Sequence, residues 1–358
     1  MRHDGRMSEQ LLRVAIVGYG LGGAVFHAPL VAATPGMQVA YVVTGNSERA
    51  ATVRRRYPEA VVLPAADELW SRAGDVDLVV ITSANRAHAP QALAAIAAGL
   101  PVVVDKPFAV DAAQAQAVVE AAAAANVALT VFQNRRWDGD FLTLRRLIAE
   151  GALGAVTRYE SRFERWRPTP KGGWRETGGD DEAGGLLYDL GAHLIDQALV
   201  LFGPVSSVYC EMDRRRAGVT NDDDTFVALT HAGGVRSQLW VSAFASNLAP
   251  RLRVLGDRAA YVKYGLDVQE DALRDGGSPG LGDDWGVEPA IAWGELGTPG
   301  DVHPVATEPG AYQHFYAAVG AALRGQGVLP VDPHDCVEGL RVIAAAQRSH
   351  REHRVVSL

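Results

Sequence analysis

Near its start the chain reads Arg13-Val-Ala-Ile-Val-Gly18-Tyr-Gly20-Leu21-Gly-Gly23. The apolar first half predicts a buried strand, and the second half is a G-x-G-x-x-G turn that leads into a helix. Gly18 permits the tight turn, Gly20 lets a pyrophosphate approach the backbone, and Gly23 lets the helix pack on the strand. The helix start offers unpaired N–H groups and partial positive charge to phosphates. The stretch, including Leu21, therefore predicts a dinucleotide-binding turn.

The residues around this turn alternate short apolar runs with alanine-rich runs as far as Asn134. Short buried strands separated by helices predict βαβ units and a parallel sheet, which is a Rossmann domain over residues 11–134. The expected strands are Arg13–Val17, Gln38–Val43, Leu78–Ile81, Val102–Asp105 and Ala128–Phe132. The expected helices are Gly23–Ala33, Ser47–Tyr57, Ala65–Trp70, His88–Ala98 and Asp111–Ala125.

Beyond residue 134 the pattern changes to longer segments with a period of two, which is typical of an antiparallel sheet with one covered face. Residues 135–358 are therefore predicted to form an α+β domain with a mostly antiparallel open sheet, for substrate binding and oligomerisation. The expected strands are Val156–Glu164, Val205–Met212, Thr225–His231, Val235–Ala245 and Arg251–Leu255. The expected helices are Phe141–Glu150, Gly191–Phe202, Tyr312–Arg324 and Asp335–His350. Gly276–Gly286 and Gly297–Gly310 are expected to be surface loops, and residues 1–10 a flexible N-terminus.

Composition and charge exclude several classes of protein. The 358 residues carry a formal net charge of -8, which argues against binding to nucleic acid. No apolar run approaches the roughly 20 residues that span a bilayer, and the N-terminus lacks the apolar core of a signal peptide. Cys210 and Cys336 are far apart in the sequence and are expected to be inert thiols in a reducing compartment. These features predict a cytoplasmic enzyme that binds neither nucleic acid nor a membrane.

The residues after the second expected strand bear on the choice between NAD and NADP. NAD-preferring sites usually have an Asp or Glu there to bind the ribose 2′-hydroxyl. This chain instead reads Thr44-Gly-Asn46-Ser47-Glu48-Arg49, with no acid directly at the strand end. Ser47 and Arg49 could receive a 2′-phosphate, so the sequence favours NADP over NAD. Arg54 lies farther along the same helix, where Arg54–Arg56 is alternatively a solvated face.

Two further motifs supply catalytic candidates. Lys106 follows the apolar strand Val102–Asp105, at the sheet edge where open α/β domains bind ligands. Burying a charge without a partner is costly, so this lysine is either functional or an exposed loop residue. Asp189 and His193 are four residues apart at a helix start, after a glycine-rich segment. A histidine moves protons near neutral pH; alternatively the pair is a helix cap with a satisfied histidine, or half a metal site that lacks an evident third ligand.

Together these motifs, across nearly the whole chain, resemble the Gfo/Idh/MocA oxidoreductases. The family usually has Glu-Lys-Pro where this chain has Asp105-Lys106-Pro107. The resemblance implies that Lys106 and His193 contact the reacting hydroxyl, that His193 moves its proton, and that Asp189 positions the substrate. It also implies that Asp105 and Lys106 contact the cofactor.

Shorter matches resemble the scyllo-inositol dehydrogenase-like branch of this family; they are Val25–Pro29, Gln133–Asp138, Asp189–Gln197 and Lys263–Asp267. That branch oxidises a ring hydroxyl of an inositol, or reduces the matching inosose, often with NADP. The resemblance thus implies a small polyol or sugar substrate, and analogy suggests a homodimer or homotetramer. The alternatives are an aldose or other sugar dehydrogenase, a cofactor-sensing regulator, and a redox-neutral glycosidase.

The remaining candidates follow from position. Ser83, Asn85 and His88 follow the strand Leu78–Ile81 and are expected at the nicotinamide end, or else form a turn and helix cap. Asn134 and Arg135 end the last Rossmann strand and are expected to face the cofactor cleft. Polyol binders need hydrogen-bond donors and aromatic faces, which single out Trp166, Arg167 and Tyr264 as substrate-binding candidates. The runs Arg214–Arg216 and Asp222–Asp224 are expected to be solvated loop charges.

Overall fold

The computed structural model describes residues 11–179, 182–280 and 284–358. The predicted flexible N-terminus, residues 1–10, lies outside the described residues. The described chain forms two sheets, a parallel one followed by a mostly antiparallel one, which confirms the predicted fold class.

The first sheet has six parallel strands in the order β3-β2-β1-β4-β5-β6. All five predicted strands are present; the short β3 was not predicted. The strands are β1 (Leu12–Val17), β2 (Met37–Val43), β3 (Val61–Leu63), β4 (Leu78–Ile81), β5 (Val102–Asp105) and β6 (Leu129–Phe132). The helices are α1 (π-helical over Gly22–His27, α-helical over Ala28–Ala33), α2 (Ser47–Arg56), α3 (Asp67–Trp70), α4 (Asn85–Ala97) and α5 (Ala112–Ala125). Strands β4 and β6 are buried along their whole length, as the continuous apolar runs predicted.

The second sheet has nine strands in the order β14-β13-β12-β11-β7-β10-β9-β8-β15. Only β7 and β10 pair in parallel; the other neighbours are antiparallel. The strands are β7 (Val156–Glu164), β8 (Val205–Asp213), β9 (Asp224–His231), β10 (Arg236–Ser242), β11 (Leu252–Gly256), β12 (Ala260–Lys263), β13 (Gly294–Thr298), β14 (Asp301–Val305) and β15 (Val356–Ser357). The helices are α6 (Gly139–Ala149), α7 (Trp174–Thr177), α8 (Ala192–Phe202), α9 (Gln269–Arg274), α10 (Gln313–Leu323) and α11 (Pro333–Glu352). Short 3-10 turns cover Ala73–Asp75, Asn134–Trp137 and Ala290–Ala292, and a π-helical turn covers Leu187–Gly191.

The prediction that Gly297–Gly310 forms only a surface loop is wrong. It contains β14, which pairs with β13 at the edge of the second sheet. Most of the β14 side chains are exposed, so the strand lacks the apolar alternation by which strands are found in a sequence.

Helix packing connects the two sheets. Helix α11 packs against α5 beside the first sheet and against β8 of the second. Helix α10 packs against α1, and its Phe315 stacks edge-on with Phe132 of β6 at 4.9 Å between ring centroids. Cys210 and Cys336 are buried free thiols. Within the described ranges, every helix is too short or too polar to span a lipid bilayer.

Candidate active site

The glycine-rich turn between β1 and α1 has the geometry that its motif predicted. Gly18 has a φ of 101°, and a Cβ there would lie 2.7 Å from the carbonyl oxygen of Thr82. A Cβ on Gly23 would overlap the carbonyl oxygen of Gly18, so only glycine lets the helix approach the turn. A Cβ on Gly20 would instead meet nothing nearer than Arg49 Nη1 at 3.9 Å. The backbone is therefore open at Gly20, where a pyrophosphate would need to approach.

An elongated groove of about 560 Å³ follows the carboxyl ends of the parallel strands. It is lined by the turn, by the end of β2, and by the segments that follow β4 and β5. The predicted cofactor residues that line it are Gly18, Gly20, Leu21, Arg49, Ser83, Asn85, His88, Asp105 and Lys106. Four others do not. Gly23 packs beneath the turn, Ser47 is an exposed residue at the start of α2, and Asn134 is buried. Arg135 lines a second, neighbouring cavity instead.

Asp105 is held by hydrogen bonds on both carboxylate oxygens. Its Oδ1 accepts the backbone N–H of Lys106 at 2.8 Å, and its Oδ2 accepts the hydroxyl of Thr82 at 3.1 Å. The buried His27, on the π-helical part of α1, has its Nε2 3.5 Å from the same Oδ2. Burial by itself would raise the pKa of Asp105, but His27, His88 and Lys106 outweigh it and hold that pKa at about 2. Asp105, which is shorter than the Glu usual in the family, is thus a fixed anion that lines the groove.

Two side chains after β4 fix the loops beside Asp105. The ring nitrogens of His88 lie 2.8 Å from the carbonyl oxygen of Pro107 and 3.2 Å from that of Ser83, and burial lowers its pKa. Asn85 Nδ2 donates to the carbonyl oxygen of Ala183 at 3.2 Å. This bond links the groove to the segment that leads into Asp189.

Lys106 and Asp189 meet where the groove joins the second cavity. Lys106 Nζ donates to the backbone carbonyl of Asp189 and lies 3.2 Å from its Oδ1. Lys106 lines the groove, whereas Asp189 lines the second cavity, which has a volume of about 690 Å³. Burial would raise the pKa of Asp189, but the charges of Lys106 and Arg175 lower it below its ordinary value. The pair is therefore a lysine cation and a carboxylate at the junction of two cavities.

His193 is buried behind this junction, in the first turn of α8, and lines neither cavity. Its Nδ1 has no hydrogen-bond partner among the described residues. Burial, followed by the nearby charges of Lys106, Arg135 and Arg251, lowers its pKa well below 6.5. The shift therefore favours the neutral form of the imidazole.

Only one of the three residues predicted to bind the substrate lines the second cavity. Arg167 lines it, whereas Trp166 and Tyr264 are exposed and do not. The segment after β7 is extended, and Trp166 pairs with Phe244 in an isolated β-bridge. Since successive side chains of extended backbone point to opposite sides, Arg165 and Arg167 line the cavity while Trp166 stacks on Phe244 outside it.

The expectation that Arg214–Arg216 and Asp222–Asp224 are solvated is wrong for Arg216 and Asp223. Both side chains are buried, and their Nε and Oδ2 atoms form an ion pair of 2.8 Å. Arg216 Nη1 also lies 2.9 Å from Glu176 Oε1, which ties the wall of the cavity to α7.

Sequence reasoning missed several residues of the site. Thr82 and His27 hold Asp105, and Trp174 and Arg175 line both cavities. Arg175 is a second cation beside Asp189, with 3.5 Å between its Nε and Oδ1. For Trp174 and Arg175 the signal in the sequence was the cluster of arginines and tryptophans between Arg162 and Arg175, which does not reveal which side chains point inward; His27 lies in the matched stretch Val25–Pro29.

A parallel sheet with an open glycine turn, joined at a lysine–aspartate pair to a second cavity, defines an oxidoreductase of the nicotinamide-dinucleotide class. The chain belongs to the Gfo/Idh/MocA oxidoreductase family. Residues 12–133 match the model of the oxidoreductase family with an NAD-binding Rossmann fold, and residues 141–262 match the GFO/IDH/MocA C-terminal domain. The resemblance that the motifs indicated is thereby confirmed.

Individual relatives cover almost the entire chain. The NADP(+) scyllo-inositol 2-dehydrogenase IolW of Bacillus subtilis is 34% identical over 99% of this chain and 98% of its own length. The oxidoreductase YdgJ of Escherichia coli is 37% identical over 97% of this chain and 99% of its own length. The solved structure of the oxidoreductase yvaA from Bacillus subtilis superimposes with a TM-score of 0.92 at 33% identity, covering 99% of this chain and all of that one.

Proposed function

We propose that this protein is an NADP-preferring dehydrogenase that acts on a secondary alcohol of a cyclic polyol or sugar, with scyllo-inositol and its inosose as the first pair to test. The observation that carries the proposal is the Lys106–Asp189 pair, because it lies where the cofactor groove meets the second cavity. The similarity to IolW, which covers 98% of that protein's length, supports the choice of polyol.

The residues at both ends of the groove are suited to bind a dinucleotide. The open backbone at Gly20 leaves room for a pyrophosphate, and Lys106 lies at the end nearest the second cavity. At the other end, Thr44, Gly45 and Arg49 line the groove, with no carboxylate directly after β2 to bind a ribose 2′-hydroxyl. A cation at this position is suited to a 2′-phosphate, which supports the preference for NADP.

When bound, the nicotinamide would accept the hydride of the alcohol carbon or return it. We assign the other steps to residues of this chain. The Lys106 ammonium would donate a hydrogen bond to the reacting oxygen and stabilise its developing negative charge. Asp189 holds that ammonium in place and is suited to accept a hydrogen bond from a neighbouring hydroxyl. The neutral imidazole of His193 would take the hydroxyl proton during oxidation and return it during reduction.

The test is an absorbance assay of NADP and NAD reduction by the full chain over a panel of inositols and aldoses. We expect turnover with scyllo-inositol or a related ring polyol, and higher kcat/KM with NADP than with NAD. Failure to reduce either cofactor with every polyol and sugar of the panel would contradict the proposal. Turnover with aldoses alone would replace the inositol by a sugar and leave the reaction class unchanged.

A further inference from the structure

The second cavity contains two arginines that form no ion pair with any described residue. Arg165 and Arg167 both line it, two residues apart on the same side of the extended segment after β7. Neither guanidinium forms an ion pair or hydrogen bond with any side chain in the described part of the structure. Arg165 instead stacks on Phe163, with its Cζ 5.3 Å from the ring centroid. Burial and the adjacent charge of Arg167 lower the pKa of Arg165.

Most acids of the same cavity already have partners. Asp223 and Glu176 pair with Arg216, at 2.8 and 2.9 Å. Glu270 pairs with Arg135 at 2.6 Å and with Arg274 at 2.7 Å. Asp189 is engaged by Lys106 and Arg175, and Asp222 and Asp267 accept backbone N–H bonds. Asp271 is exposed at the rim. None of the described acids of the cavity thus forms an ion pair with Arg165 or Arg167.

Two partly buried cations of like charge repel each other and lose hydration, so their placement costs free energy unless an anion joins them. Guanidinium groups present paired N–H donors that match the two oxygens of a carboxylate or phosphate. A neutral polyol could bond to them through hydroxyls, but it would bring no charge to pair with either guanidinium.

We propose that the substrate carries an oxyanion, a carboxylate or a phosphate, that Arg165 and Arg167 bind while the alcohol reacts at Lys106. This inference rests on the proposed function, because it names the substrate class of that same cavity. It places the substrate among sugar acids or sugar phosphates and makes uncharged scyllo-inositol the weaker ligand.

The cavity supports a substrate held at two points. Arg165 lies close enough to Asp189 for each charge to shift the pKa of the other. The anion and the reacting alcohol can therefore belong to one small molecule. Charge pairing at Arg165 and Arg167 would select the substrate and orient its far end, while Lys106 acts on the reacting oxygen.

The test compares D-glucose, D-glucuronate, D-glucose 6-phosphate and inorganic phosphate as ligands of the full chain loaded with NADP. Binding is measured by titration calorimetry, and turnover is measured separately by NADPH absorbance. The variants are Arg165→Gln and Arg167→Gln. Arg145→Gln, at an exposed position on α6 away from both cavities, is the matched control.

We expect the wild type and the Arg145 variant to bind the charged sugars at least about tenfold more tightly than glucose. Each cavity variant should lose about tenfold in affinity for the charged ligands only. Preference for glucuronate would identify the anion as a carboxylate, and preference for glucose 6-phosphate would identify a phosphate. The inference would be overturned if the wild type bound charged and uncharged sugars equally, or bound no anion at all. It would also be overturned if the cavity variants lost as much affinity for uncharged sugars as for charged ones. Anion binding without turnover of any charged or uncharged sugar or polyol would instead contradict the proposed dehydrogenase and leave the anion site supported.

Discussion

Lys106 Nζ lies 3.2 Å from Asp189 Oδ1, although the two residues are 83 positions apart in the chain. Lys106 directly follows the parallel strand β5, and Asp189 lies in a π-helical turn before α8. Their contact is possible only because the second domain packs over the carboxyl edge of the first sheet. The ion pair therefore holds the Lys106 side chain in place and joins the two halves of the candidate site.

Replacing Lys106 by Gln tests the role of its charge. The variant keeps most of the side-chain volume but cannot stabilise an alkoxide, so we expect kcat to fall by about 10²–10³. Cofactor affinity, measured by fluorescence titration, should survive because most of the groove is unchanged. Arg145→Gln serves as the control for an exposed charge. A kcat near that of the wild type would remove Lys106 from the mechanism.

Much of this site could be predicted from local sequence, since each motif carries its own physical signal. Lys106 follows an apolar strand that can only be buried, and the glycines around Asp189 indicate close backbone approach. The contact between Lys106 and Asp189 could not be predicted, because it depends on how distant elements pack. Similarly, Trp166 was chosen by residue type, but the direction of extended backbone puts Arg165 and Arg167 in the cavity instead.

The low pKa of His193 predicts the pH dependence of the proposed polyol oxidation. A general base acts in its neutral form, which predominates above its pKa, and that pKa lies well below 6.5. We expect kcat/KM for oxidation to stay constant from pH 8 down to about 6.5 and to fall only in more acidic buffer. His193→Asn should lower kcat by about 10²–10⁴ and abolish that acid limb. An acid limb centred above pH 7 in the wild type would contradict this assignment.

The same shift predicts how stability changes with pH. Since the pKa of His193 is lower in the folded than in the unfolded state, the unfolded state binds more protons below about pH 6.5. The free energy of unfolding should therefore fall as the pH decreases from 6.5 towards the folded-state pKa. Thermal unfolding of His193→Asn should show a smaller decrease in Tm between pH 7.5 and 5.5. His88 and His231 are shifted in the same direction, so part of the decrease should remain.

A pair of glycine substitutions separates the role of the turn in binding from its role in folding. A Cβ on Gly22 would lie 2.6 Å from Asp105 Oδ2, whereas a Cβ on Gly20 has open space around it. We therefore expect Gly22→Ala to destabilise the free protein by about 1–3 kcal/mol, because the Asp105–Thr82 contact must shift. Gly20→Ala should leave the Tm of the free protein unchanged and weaken NADP binding. Equal stability of both variants would show that the turn adapts to the added methyl group.

The proposed preference for NADP depends on Arg49. Its guanidinium lines the groove beside the open backbone of Gly20, and no carboxylate directly follows β2 to bind a ribose 2′-hydroxyl. Loss of a charge-assisted bond costs about 1.5–3 kcal/mol, so Arg49→Gln should lower the ratio of kcat/KM for NADP over NAD by about 10–100-fold. Arg55→Gln is the control on the same helix, because Arg55 bonds to Thr52 and does not line the groove. If both variants keep the wild-type ratio of kcat/KM for NADP over NAD, the 2′-phosphate is held by other residues. If the wild type itself has a higher kcat/KM with NAD, the proposed preference for NADP is wrong.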